Sequence, residues 1–191
     1  MRRIAALALL LPVIACCPAA PYARLPGDAV LGAGDPTPAA IIGSAYAFGA
    51  PGALAGRPDA AARAAAQVEY LATEIPAGPR WVEFSPLVGQ ELVAAREELR
   101  AALGIAPGAP PQAVVDALYG ASRALQAGDR ASAGVALGAP LSGNGQATLA
   151  RLASLPPLPR TRIATSLTNL ELNRVDQDGR FGGGAAEGGK D

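Results

Sequence analysis

An all-α fold, a small bundle of about five to seven helices, is what this 191-residue sequence predicts. Apolar residues recur at three- and four-residue spacings, the period of one helical face. Clusters of Pro, Gly, Ser, Asp and Asn cut the chain into segments of helix length. Runs of β-branched residues, which strands favour, are few.

The elements follow in order. Residues 16–37 are rich in Pro, Gly, Ala and Asp and read as a flexible tether. Thr37-Pro38 carries the signature of a capped helix start, and Pro51-Gly52 ends that helix. Asp59 is the expected cap of a second helix running to about Glu74, with Val68, Leu71 and Ile75 on one face. Pro76 and Pro79 break the pattern, and Trp81-Val82-Glu83-Phe84 alternates as a short extended stretch would. Ser85-Pro86 repeats the cap signature. The helix behind it shows Val88, Leu92, Leu99 and Leu103 as a stripe, with Arg96, Glu97 and Arg100 turned elsewhere and Gly104 at the C-terminal turn. Another helix runs from Pro111 to about Ala127, with Val114, Val115, Leu118, Ser122 and Leu125 on one side, and Gly128 stops it. Asp129 and Asn144 are the expected caps of two short helices. Residues 156–159, Pro-Pro-Leu-Pro, form a stiff connection. Ile163, Leu167, Leu170 and Arg174 stand at helical spacing, although Leu170 and Leu172 alternate. The domain boundaries expected are 38–176 for the helices and 177–191 for a disordered Gly-rich tail.

Residues 1–15 have a different character. Arg2 and Arg3 precede an uncharged run from Ile4 to Ile14, which gives the basic n-region and apolar h-region of a secretory signal. The run is shorter than the roughly 20 apolar residues a membrane-spanning helix needs. Val13-Ile14-Ala15-Cys16 follows, and it resembles the lipobox of bacterial lipoproteins. The resemblance implies that Cys16 becomes the first mature residue and carries lipid, normally three acyl chains, which is ample for stable anchoring. It covers only these first residues and says nothing of the domain. Cys17 in place of aspartate after the lipidated residue tilts the expected address toward the outer membrane, facing the periplasm. Two other readings stay open: ordinary cleavage to a soluble exported protein, for which Pro18 and Pro21 make poor new N-termini, and an uncleaved leader.

Composition then limits the chemistry. There is no histidine, and the one lysine is Lys190 in the Gly-rich tail. Histidine bases, histidine metal sites and Ser-His or Cys-His nucleophiles are therefore excluded, and lysine-based catalysis is disfavoured. Both cysteines, Cys16 and Cys17, lie at the cleavage site, which leaves no cysteine pair for a disulfide or metal within the domain. No phosphate-binding or dinucleotide fingerprint is present. Without Arg2 and Arg3, 14 basic residues face 16 acidic ones, so no nucleic-acid partner is expected. No cofactor and no metal are expected either.

What remains are acids and aromatics. Glu69, Glu74, Glu83, Glu91, Glu97, Glu98 and Asp116 fall on the expected solvent faces of helices, although two converging acids would suffice for a glycan-cleaving enzyme. Asp176-Gln177-Asp178-Gly179 matches part of a calcium loop, but its register puts Arg174 and Ala185 at the end ligand positions. Gly43 and Ala47, with Gly52 and Gly56, have the spacing of close helix packing, and a core helix followed by a turn is expected there. Trp81 and Phe84, beside Arg80, belong by default to the core with Tyr70 and Tyr119, and are the residues to watch for contact with a partner. The expectation is a lipid-anchored envelope protein with a non-enzymatic interaction or structural domain and an envelope protein as its partner. The alternatives are a small-ligand or lipid-binding module and a carboxylate-dependent cell-wall glycan enzyme.

Overall fold

A computed structural model describes residues 23–29 and 34–182 of the chain. Cys16, Cys17 and the last nine residues lie outside that range. The described residues form seven α-helices and no strand: α1 (Pro36–Gly49), α2 (Pro58–Ala77), α3 (Pro86–Leu103), α4 (Pro111–Gln126), α5 (Arg130–Ala136), α6 (Gly145–Ala153) and α7 (Pro159–Gly182).

Helix α2 is the axis of the bundle. It touches α1 and α3 on one side and α4 and α6 on the other; α7 packs across α1 and α3, and α5 across α4 and α6. The sequence explains the position. Ala61, Ala62, Ala64, Ala65 and Ala66 wrap the first turns of α2 in methyl groups, so neighbours approach from every direction. Val68, Leu71 and Ile75 then enter the core as their spacing predicts. Arg63 stays exposed, but from Ala64 to Ile75 every residue of α2 is buried, the polar Gln67, Glu69, Thr73 and Glu74 among them. Alanine buries little area, so most of the hydrophobic stabilisation comes from the fully buried Leu71, Leu92, Leu103, Leu118, Leu149 and Leu152.

Most helix ends follow the sequence signals. Ser85, Asp129 and Asn144 cap α3, α5 and α6, each accepting a backbone N–H of the first turn. Gly104 closes α3 at φ +70, a left-handed conformation that glycine adopts without a side-chain clash. Several expectations need correction. Helix α1 is capped by Asp35 rather than Thr37: the Asp35 carboxylate accepts the Thr37 N–H at 3.0 Å. The Thr37 hydroxyl is taken instead by Tyr70 at 2.6 Å. Asp59 sits in the first turn of α2, and Arg57 holds the cap position. Pro76 lies within the last turn of α2, and residues 79–84 form a 3-10 turn and bends rather than an extended stretch.

Helix α7 presents an unexpected face. Ile163 and Leu170 point outward, Leu170 at 66% exposure, while Thr161, Ala164, Thr165, Thr168 and Leu172 are buried. A buried threonine would normally cost energy, but Thr165 and Thr168 donate to the Thr161 and Ala164 carbonyls of their own helix at 2.9 and 2.7 Å. The helix also continues to Gly182, past Gln177, where the sequence placed the start of a tail. Asp176 and Asp178 therefore stand on a helix and not in a loop.

The segment 23–29, read from sequence as part of a flexible tether, is docked. Ala23 is buried and its N–H donates to the Thr73 hydroxyl at 3.0 Å. The Arg24 backbone exchanges two hydrogen bonds with the Gln112 amide on α4, at 2.8 and 3.1 Å. Asp28 pairs with Arg123 at 2.8 Å. The segment thus straps α2 to α4. Each of these bonds contributes on the order of 1 kcal/mol net. A double change, Thr73→Val with Gln112→Ala, should therefore speed tryptic cleavage after Arg24 by at least about tenfold; unchanged cleavage would mean that the strap is already open in solution.

Candidate functional site

The C-terminal end of α2 gathers the polar and aromatic residues that the sequence singled out. Pro79 starts a tight turn that swings Arg80 and Trp81 back over α2. Trp81 donates its indole N–H to Glu74 at 3.1 Å, and Arg80 reaches the same Oε1 at 3.4 Å. Arg80 also bonds Asp35 at 2.6 Å and the Thr37 hydroxyl at 3.1 Å, so the start of α1 is tied to the end of α2. Its guanidinium lies 5.1 Å from the Trp81 ring centre, within cation–π range. Trp81 and Phe84 meet edge to face, with ring centres 5.0 Å apart at 68°. Phe84 is buried and Trp81 partly so. The core expectation therefore holds for Phe84, Tyr70 and Tyr119, and in part for Trp81.

Burial, the largest influence, pushes the Tyr70 hydroxyl up to about 12, against the hydrogen bond it shares with Thr37. Burial alone would raise Asp35 as well, but the Thr37 N–H and the Arg80 guanidinium outweigh it and hold the carboxyl below its ordinary value. A carboxyl lowered in the folded state stabilises at pH above its unfolded pKa and loses that contribution as pH falls through the folded one. Asp35→Asn keeps a capping oxygen but loses the charge that faces Arg80, so it should cost about 1 kcal/mol or less at pH 7, the usual size of an exposed ion pair. The difference from wild type should be smaller at about pH 2 than at pH 7, because it is lost as pH falls through the lowered folded value. Urea unfolding at the two pH values measures it.

An open groove runs beside this network. Ile75, Pro76, Trp81, Phe84, Pro86 and Val93 line it, over a volume of about 600 Å³. No charged side chain takes part in the lining; Ser85 and Gln90 are the polar ones. Val82 stands on its rim at 81% exposure, and Leu87 projects from the adjoining first turn of α3 at 51%. The sequence pointed to Trp81 and Phe84 but not to the groove, because Gly89 on α3 lies against Pro76 and no local pattern reveals that approach.

The acids fare differently from expectation. Glu69 and Glu74 are buried rather than solvated. Glu69 receives Arg100 through both oxygens, at 3.0 and 2.5 Å, and Arg100 is itself only 6% exposed. Arg100 was expected to face outward; it turns inward to meet Glu69 and then donates to the Pro107 carbonyl at 2.6 Å, fastening the loop after α3. Glu98 accepts the Arg160 and Thr161 N–H groups and so caps α7 from α3. Among the described residues no group of three His, Cys, Asp or Glu side chains is placed to hold a metal ion. No helix among them is long and apolar enough to cross a membrane.

No family model matches this chain, and neither a curated protein nor a solved structure does.

Proposed function

We propose that this is a lipid-anchored protein of the bacterial cell envelope, held through Cys16, whose helical domain is an interaction or structural element rather than an enzyme. The observation that carries the reading is the order Arg2-Arg3, apolar run, Val13-Ile14-Ala15-Cys16. The missing histidine and the cation- and donor-bound states of Glu69 and Glu74 favour a non-catalytic role. The expected address is the periplasmic side of the outer membrane, with an envelope protein as partner. A small-ligand role draws on the groove alone, yet that groove is open, with its most exposed apolar side chain on the rim.

The test is metabolic acyl labelling of the wild-type chain beside Cys16→Ala, with the intact mass of each mature product. Label on the wild type and none on the variant supports the anchor. An unlabelled chain shortened near residue 15 means soluble export, and an unlabelled full-length chain means an uncleaved leader; either result overturns the reading.

A further inference from the structure

We infer that the apolar groove at the end of α2 is a membrane-contact surface, resting on the same bilayer that holds the lipid of Cys16. The inference depends on the lipid-anchor reading and adds an orientation to it.

Reach comes first. Ala23 is hooked to Thr73 on α2. Thr73 stands three residues, about 4.5 Å along the helix axis, before Pro76, which lines the groove. Seven peptide links separate Cys16 from Ala23. Whatever path they take, they span at most about 25 Å. Helix α7, at 24 residues, is about 36 Å long. The leash is therefore shorter than the domain it holds. With Cys16 at the headgroups, the end of α2 carrying Thr73 and Pro76 is kept near the bilayer.

Shape and chemistry agree with that placement. A pocket for a small molecule encloses its ligand, and its apolar residues face inward. Here Val82 and Leu87 project from the rim and the adjoining turn into solvent. Trp81 combines an apolar ring with an indole N–H already bonded to Glu74, so it can enter the interface without losing a hydrogen bond. The nearby charges are net negative: Arg80 is paired with Asp35 and Glu74, Arg174 is paired with Glu171 and Asp178, and Glu83 is exposed. Contact should therefore be hydrophobic, and anionic lipid should weaken it rather than strengthen it.

Trp81 is the only tryptophan in the sequence and reports on its own surroundings. The experiment places the full lipidated protein in phosphatidylcholine vesicles, with and without brominated acyl chains and with or without phosphatidylglycerol. Bromolipid should quench Trp81, and acrylamide in the water should not. Val82→Asp with Leu87→Asp should abolish the bromolipid quenching while the protein still floats with the vesicles. Both side chains are exposed, so circular dichroism of the variant should be unchanged. In the unlipidated Cys16→Ala chain the same pair should weaken residual vesicle binding by about tenfold per side chain. A wild-type protein that floats, stays unquenched by bromolipid and remains open to acrylamide overturns the contact surface and leaves the anchor standing. A wild-type protein that neither carries lipid nor floats overturns both.

Discussion

Glu69→Ala is expected to destabilise the domain by about 3–5 kcal/mol, the usual cost of removing one partner from a buried ion pair. The carboxylate is enclosed by α2 and α3, and Arg100 reaches it from a side chain that is almost wholly buried. Without Glu69 the guanidinium keeps only its bonds to the Ala106 and Pro107 carbonyls and is left as an uncompensated charge in the core. For a domain of this size the midpoint of thermal unfolding should fall by roughly 10 °C. The double change Glu69→Leu with Arg100→Met removes both charges and should recover most of the loss. Thermal melts followed by circular dichroism would settle the matter; a single variant as stable as wild type would mean that water reaches the pair.

Gly145→Ala should be nearly as damaging, at about 3 kcal/mol or more, because the new methyl has nowhere to go. A β-carbon at the first residue of α6 would overlap the Gly134 carbonyl oxygen of α5 and press on the Gly138 backbone N–H. Both obstacles are main chain, so a rotamer change cannot relieve them. Gly120→Ala makes the opposite forecast from the same chemistry. In mid-α4 the nearest heavy atom to the new methyl is the Ala136 β-carbon at 3.6 Å, an ordinary contact. Replacing that glycine should stabilise by about 0.5–1 kcal/mol, through the conformational freedom the unfolded chain no longer has. Urea midpoints for the two variants should move in opposite directions, and a shared direction would show that the α5–α6 approach is looser than described.

The helical class was legible because its signals are local. Ser85, Asp129 and Asn144 sit before helical runs, and Gly104 and Gly128 adopt positive φ where the helices stop. What escaped depends on a partner far away in sequence. Asp35 and Thr37 are both good caps next to a proline; Asp35 wins because Arg80 and the Thr37 N–H hold its carboxylate, while Tyr70 occupies the Thr37 hydroxyl. Arg100 follows Leu99, just off the apolar stripe, and only its match with Glu69, 31 residues earlier, draws it inside. The alanine run in α2 did hold a usable clue. A helix with methyl groups on most sides is closely approached by its neighbours, and Glu69 and Glu74 are buried with it while Arg63 stays exposed. Of the site residues, Trp81 and Phe84 were visible as aromatics, and their meeting in one turn needed the fold. The expectation for Cys16 rests on the sequence alone, and the described residues do not reach it.

Helix α7 is fastened differently from the rest. The buried Thr165 and Thr168 hydroxyls bond within the helix, the Thr161 hydroxyl donates to Glu98 on α3, and Ala164 and Leu172 are its buried apolar residues. Much of its hold on α3 and the preceding turn comes from charged groups near the surface: Glu98 on the Thr161 N–H, Glu171 on the Ser85 N–H, and Arg174 on the Glu83 carbonyl. Dissolved salt shortens the reach of such charges, from about 10 Å at 0.1 M to about 3 Å at 1 M, and leaves packed hydrocarbon untouched. Ionic strength is therefore a lever on this helix. Amide hydrogens of α7 should exchange faster as salt rises while those of α2 hold their rate, so α7 can loosen while the axis of the bundle stays closed.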